Sequence, residues 1–328
     1  MHKLFWKQLY WFDSVKDNMT SSINSNNVMQ GRPRRLILWC LPRTGSTVLA
    51  KCLSFLDEDT QVWFEPFNLC RMTSIKVKKD TGQDMPKEPN EELLEKIQNE
   101  SSKQKKNSPP MKVDPKLLTY GGVRNALEDS ERRTVVVKEM AVASYDSYDY
   151  IPKGYRHILV IRDPTRVISS FRKMVMKNIV DLPPDADLEK VHPTYPTHHW
   201  FGEMHALWKH FTNVGINPLI IDTEDFLANP KPFIKKICEV MDVEYRDGLL
   251  EWDASTDVIK SWRNGCPDAH TNERMSQSQT FKRAYESSGF AQTDPQPLPQ
   301  NLTQDIVRII AQCVDSYNEM YPHRFIPE

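Results

Sequence analysis

The amino-acid sequence predicts a three-layer α/β domain: a central parallel sheet with helices on both faces. Three observations carry that reading. Short apolar runs of strand length alternate with stretches whose apolar residues recur at helical spacing. Two of the runs, "LILWCL" and "HILVI", stop at turns holding arginine, proline and hydroxyl residues, and a helix opens directly behind each. Neighbouring parallel strands need crossover connections, which the alternating helices supply. At 328 residues the chain can bury a sizeable core, and one elaborated domain over residues 34–328 is the simplest arrangement.

Residues 1–33 come first. "MHKLFWKQLYWFDSVKDN" is aromatic, but Lys3, Lys7 and Asp13 deny it the continuous apolar stretch of a secretory signal or membrane anchor. It reads as a poorly ordered leader ending in "SSINSNNVMQGRP". Order begins with the strand "LILWCL", and "STVLAKCLSFL" behind it has Val48, Leu49, Cys52, Leu53 and Leu56 at helical spacing. "QVWFEPF" is a second short strand. Residues 73–116 are rich in Lys, Glu, Pro and Ser with few large apolar side chains, so they cannot fold alone and read as a charged, mobile insertion beside the site, with "NEELLEKIQNE" a solvated helix inside it. Order returns with the strand "TVVVKEM" and the strand–helix unit "HILVIRDPTRVISSF". "HHWFGEMHALWKHF" then places Trp200, Phe201, Met204, Leu207, Trp208 and Phe211 on one helical face, and "NPLIIDTEDFLANPKPFIKKICEVMDVEY" reads as strand, turn and helix. The last element, "NLTQDIVRIIAQCVDSYNEMY", is an amphipathic helix capped by Thr303 with Asp305 in its first turn.

Composition narrows the function. The 43 Lys and Arg nearly cancel the 44 Asp and Glu, so no global field draws the protein to nucleic acid or to an anionic membrane, and anion binding must be local. The six cysteines (Cys40, Cys52, Cys70, Cys238, Cys266 and Cys313) are scattered, and Cys40 lies inside an apolar run; they read as reduced thiols of a soluble cytoplasmic protein. A homodimer is one option for its assembly.

The local anion site is legible in "RRLILWCLPRTGSTVLA" (residues 34–50). A strand-to-helix turn aims unpaired backbone N–H groups outward at the positive end of the helix dipole, a cradle for phosphate or sulfate. Arg43 adds a charged fork, and Ser46 and Thr47 add hydroxyl donors; the alternative is that Gly45 merely permits a tight turn. The turn departs twice from the nucleoside-triphosphate loop G-x-x-x-x-G-K-[ST], with Ser46 in place of the lysine and Cys40 in place of the first glycine, which argues against ATP or GTP. In the second turn, "IRDPTRVISSF", Arg162 ends a strand, Pro164 suits a helix start and Ser170 follows within the helix, so Arg162 and Ser170 can reach one anion from two sides.

Taken together and in this order, the two turns resemble those of sulfotransferases that use 3′-phosphoadenosine-5′-phosphosulfate. In that family a P-[KR]-x-G-[ST]-[ST] turn holds the 5′-phosphosulfate, matching Pro42, Arg43, Thr44, Gly45, Ser46 and Thr47. An Arg-x-Pro segment followed by a helical serine holds the 3′-phosphate, matching Arg162, Pro164, Arg166 and Ser170. The segment "IIDTEDFLANPKPFIKKICEVMDVEY" is also similar to the family's later strand, turn and helix. The resemblance implies a P-loop-NTPase-like sulfotransferase fold, that cofactor, and no metal. Many members follow the two hydroxyl residues with a tryptophan that stacks on adenine; Val48 stands there, leaving Trp262 or Phe281 for that role. The family's late basic loop is matched loosely by "TFKRA", which makes Lys282 and Arg283 candidate 3′-phosphate ligands, with two solvated surface charges as the alternative.

Sulfuryl transfer to a hydroxyl or amine of a small-molecule or carbohydrate acceptor asks mainly for positioning and charge stabilisation along an in-line path. Arg43 would neutralise charge growing on the leaving phosphate, and Lys138, ending "TVVVK", resembles in position the family's lysine beside the sulfate. The acceptor needs a base. Glu65, flanked by Phe64 and Phe67 at the end of a strand, is the first candidate and resembles the glutamate used by some carbohydrate-modifying branches; Glu139 is the reserve, because no histidine follows Lys138 closely. His198, His199, His205 and His210 lack the H-E-x-x-H arrangement of a metal site; their helix reads instead as a wall of the acceptor pocket, with His198 or His199 touching it. Competing expectations are a kinase with a degenerate phosphate loop and a catalytically silent nucleotide-binding protein.

Overall fold

Five strands pair in parallel in the order β2-β3-β1-β4-β5: β1 is Arg34–Cys40, β2 Thr60–Phe64, β3 Thr134–Met140, β4 Arg156–Ile161 and β5 Leu219–Asp222. This is the expected α/β class. The computed structural model describes residues 32–92, 114–178, 183, 185–191, 197–264, 281–290, 294 and 296–328. The expected leader, apart from its last two residues, lies outside them. Pro33–Glu328 form one compact unit.

Every residue of β3 is buried, as are Leu36 to Cys40 of β1. That is why both strands read as continuous apolar runs: the faces of a central parallel strand are covered by helices, so no polar alternation survives. The main helices are α1 (Ser46–Leu53), α2 (Pro66–Thr81), α3 (Tyr120–Glu128), α4 (Pro164–Asn178), α5 (His199–Asn213), α6 (Thr223–Ala228), α7 (Pro230–Met241) and α8 (Gln304–Met320). From β1 the chain crosses to β2 on one side, and from β3 it crosses back past β1 to β4 on the other. Right-handed crossovers in opposite directions put their helices on opposite faces, and a crevice opens at the C-terminal ends of β1 and β4. Register collects the strand tips along that edge: Cys40 opposes Met140 and Val160, Phe64 opposes Lys138, and Ile161 opposes Asp222.

Several details differ from the sequence reading. Helix α2 runs through Thr81, into the segment read as an insertion, and beyond it the backbone N–H of Gly121 donates to the Lys87 carbonyl at 2.7 Å while the Lys87 ammonium reaches the Asp146 carbonyl at 2.5 Å. The rest of that segment, residues 93–113, lies outside the described residues. Thr303 stands at the N-cap of α8 but makes no capping bond; its hydroxyl turns to Asp305, which accepts from the Leu188 N–H at 3.0 Å and pairs with Arg172 at 3.2 Å. Cys40, Cys52, Cys70, Cys238 and Cys313 are buried free thiols, and Cys266 lies outside the described residues. Among the described residues no helix is long and apolar enough to cross a membrane.

Glu139 is fully buried and accepts from the backbone N–H groups of Phe67 (2.6 Å), Asn68 (3.2 Å) and Met140 (2.7 Å). Its carboxylate therefore seals the N-terminus of α2, where a helix leaves its first N–H groups without partners. Burial, with the nearby Glu65 charge adding to it, pushes its pKa from 4.5 up to about 8 against the pull of those N–H groups. A carboxyl that binds its proton more tightly in the native state contributes stability that is whole below its unfolded pKa and is lost as pH rises through the folded one. Glu139→Gln cannot ionise. Urea titrations should show wild-type stability falling between about pH 5 and pH 8, by at most about 1.4 kcal/mol per pH unit from this group, and a flatter profile in the variant. Equal slopes would assign the fall to other groups.

Candidate active site

The turn after β1 is held in a conformation that side chains rarely adopt. Arg43 has φ 65° and Gly45 φ 73°. A Cβ at Gly45 would meet Thr223 Cγ2 at an ordinary 3.7 Å, so the dihedral, and not space, demands glycine there. The buried Thr44 hydroxyl donates to the Leu41 carbonyl at 2.8 Å and locks the turn; it does not face the site. The Thr223 hydroxyl, at the tip of β5, lies 2.8 Å from the Thr44 carbonyl and 2.9 Å from that of Ile161, joining the two turns from behind. Helix α1 then starts with no side-chain cap and no acidic residue in its first turn. Its N–H groups and dipole remain available to an anion.

The second turn meets the first directly. Arg162 Nη1 donates to the Arg43 carbonyl at 2.8 Å, and Arg43 Nε donates to Ser170 Oγ at 3.1 Å. Asp163 accepts from the Thr165 N–H at 2.8 Å and starts α4. Burial pulls the Arg43 guanidinium below its ordinary pKa, and the neighbouring charges of Arg162 and Arg283 add to this. Such a crowd of cations favours a negative guest. An internal one is present: Glu224 pairs with Arg162 at 2.7 Å and with Arg166 at 3.3 Å.

These groups line one cavity of about 1090 Å³ at the C-terminal edge of the sheet. Pro42, Arg43, Gly45, Ser46, Thr47, Glu65, Lys138, Arg162, Ser170, Phe281 and Arg283 all face it. A small-ligand pocket occupies about 300–1,000 Å³, so this cavity has room for one large ligand or two small ones. At its far end Glu65, in a left-handed conformation with φ 51°, forms an ion pair with Lys138 and accepts from Asn68 Nδ2 at 2.9 Å. Lys138 is 3% exposed, with its ammonium 4.8 Å from the centre of the Phe64 ring. Burial works against its charge, but Cys40, Glu65 and Glu139 outweigh burial and hold its pKa above the usual lysine range.

Other candidates fall elsewhere. Lys282 turns to Glu286 at 3.8 Å and leaves Arg283, its neighbour on the single helical turn Lys282–Tyr285, to face the cavity. Trp262 is buried, stacks on Phe64 at 5.5 Å and donates to Ser54 Oγ at 3.0 Å, which removes it as an adenine platform; of the two aromatic candidates, Phe281 lines the cavity. Glu139 is committed to α2, so the reserve base is a structural carboxylate. The aromatic face of α5 packs into the core, with Phe211 4.2 Å from His157, and supplies no wall of the cavity. His198 pairs with Glu189, and His205 with Glu319 at 2.9 Å.

Sequence reasoning passed over Asn68 and Met72, which follow Glu65 along one face of α2, and Lys173 and Met174, which follow Ser170 on α4. Helical spacing from each named residue was the available signal. Glu224 was legible only as the residue just past a third strand tip. Because Arg162 keeps its bond to the Arg43 carbonyl, Glu224→Gln should leave the fork in place while removing a competing charge. Calorimetry should then find inorganic phosphate bound about fivefold more tightly, in line with about 1 kcal/mol for a half-exposed charge; weaker binding would make Glu224 a support for the arginines.

Comparison with known proteins places the chain in a family. The model of the Sulfotransferase family matches residues 35–247. Branched-chain-amino-acid aminotransferase-like protein 2 of Arabidopsis thaliana is 21% identical over 285 residues, covering 87% of this chain and 41% of that protein. For the related protein 1 the figures are 21% over 172 residues, 51% and 24%. The chain thus spans less than half the length of these curated relatives. Similar solved structures include the sulfotransferase domain from the curacin biosynthetic pathway, at 14% identity with TM-score 0.40 over 90% of this chain and 100% of that one. A mouse sulfotransferase complexed with PAP matches at 13% identity and TM-score 0.44, over 89% and 90%. The family match covers most of the chain and opens on the strand that feeds the cationic turn, and by it the protein belongs to the sulfotransferase family.

Proposed function

We propose that the protein moves a sulfuryl group from 3′-phosphoadenosine-5′-phosphosulfate to a hydroxyl, or an amine, of a small-molecule or carbohydrate acceptor. One observation carries the reading: the two cationic turns meet, through Arg43, Arg162 and Ser170, above a single cavity that also reaches Glu65 and Lys138. An uncapped helix start and mutually repelling guanidinium groups fit an anion at each end of an adenosine. The turn at residues 42–47, braced from within by the Thr44 hydroxyl, would hold the 5′-phosphosulfate, Arg162, Ser170 and Arg283 the 3′-phosphate, and Phe281 the adenine face.

The cofactor, when bound, supplies an activated sulfuryl group whose bond to the phosphate oxygen breaks as the bond to the acceptor forms. Arg43 would stabilise the charge gained by that oxygen, and the α1 N–H groups, Ser46 and Thr47 would share the load. Lys138, now paired with Glu65, can turn to the sulfate oxygens, which frees the carboxylate to take the acceptor's proton. Asn68 holds the other carboxylate oxygen and fixes its direction. Met72, Met140 and Met174 line the cavity with adaptable apolar surface suited to an acceptor body.

Incubation with labelled cofactor and a panel of alcohols, phenols, sugars and amines should release adenosine 3′,5′-bisphosphate and a sulfated product. Absence of calorimetric binding of that bisphosphate would end the proposal. Glu65→Gln should lower kcat by about 10²–10⁴-fold, the usual contribution of a general base, with cofactor affinity nearly unchanged. Full activity in the variant would move the base elsewhere.

A further inference from the structure

Lys51 stands in the last turn of α1 with no exposed surface. A lysine is tolerated at such a place only when its ammonium finds acceptors. It finds two: Nζ donates to the backbone carbonyls of Tyr285 at 2.5 Å and Ser287 at 2.8 Å. Tyr285 ends the single helical turn Lys282–Tyr285; the N–H of Glu286 bonds back to the carbonyls of Lys282 and Ala284, which leaves the Tyr285 carbonyl to the Lys51 ammonium. Burial lowers the Lys51 pKa while Asp253 opposes the shift.

The strap of residues 281–290 is tied from a second side. Trp252 Nε1 donates to the Ser287 carbonyl at 2.8 Å, the Trp252 N–H donates to that of Ser288 at 2.9 Å, and the Phe290 N–H donates to that of Leu250 at 2.9 Å. This strap brings Phe281 and Arg283 to the cavity, while α1 brings Ser46 and Thr47. Lys51 is a buried strut between the two.

We infer that Lys51 is a positioning residue for nucleotide binding, holding the strap against α1 so that Arg283 and Phe281 close over the same ligand that Ser46 and Thr47 grip from below. The inference rests on the proposed cofactor reading and names the part of this chain that makes the grip two-sided. An apolar residue would fill the same volume but leave the Tyr285 carbonyl buried without a donor and the Ser287 carbonyl with Trp252 Nε1 alone, and the strap would move to find one.

Titration calorimetry of adenosine 3′,5′-bisphosphate into the wild-type protein, Lys51→Met, Arg283→Met and the double variant tests it. Lys51→Met should weaken binding about tenfold, and in the Arg283→Met background it should cost clearly less, because one of the two contacts through which it acts is already gone. At saturating cofactor, kcat should stay within about twofold while the cofactor KM rises. If Lys51→Met does not fold, Trp252→Phe removes a tie from the other side of the strap and should give a smaller loss of affinity that also shrinks in the Arg283→Met background. Unchanged affinity in the variants, or a loss that adds fully to that of Arg283→Met, overturns the inference alone. Failure of the wild-type protein to bind the bisphosphate overturns the cofactor reading and this inference with it.

Discussion

The site depends on the joining of two strand tips. β1 and β4 are sheet neighbours, and their exits are tied by the Thr223 hydroxyl behind and by the Arg162 guanidinium bonded to the Arg43 carbonyl in front. Without those ties each turn would be an ordinary end of a parallel strand. With them, two arginines and two helix starts face one space, and the sparsely populated backbone angles of Arg43 and Glu65 become affordable because the surroundings over-determine them.

The charged lining of the cavity thus comes from one edge of the sheet. β1 supplies the cradle, β2 Glu65, β3 Lys138, β4 Arg162 and β5 the residues that brace them. The core fixes this edge: Leu36, Ile37, Leu38, Trp39 and Cys40 are fully buried, so a slip of the strand would draw Arg35 into the buried stretch. The rigid sheet holds the charged groups in place before a ligand arrives, the condition under which electrostatic stabilisation is strongest.

Much of this was legible in the sequence because it is local. All five strands announce themselves as apolar runs, and both anion turns carry arginine, proline and hydroxyl residues at fixed offsets from a strand end. What escaped was decided by tertiary contact. Glu139 adjoins Lys138, but only the position of α2 reveals that its carboxylate is consumed by three N–H groups. Lys282 and Arg283 are chemically alike, and a single helical turn has too little periodicity to say which faces inward. The apolar stripe of α5 has the right spacing but carries no address, and it covers the core near His157 and not the cavity. Trp262 was a reasonable aromatic platform until Phe64 proved to be its stacking partner.

The carboxylate of Glu224 gives the arginine cluster a resident counter-ion. A phosphate arriving there would exchange places with one negative partner and so neutralise fewer bare charges than the number of guanidinium groups suggests. Dissolved salt would therefore compete less steeply for this cluster than for an open patch of equal charge, and recognition would lean on the geometry of the fork more than on attraction at a distance.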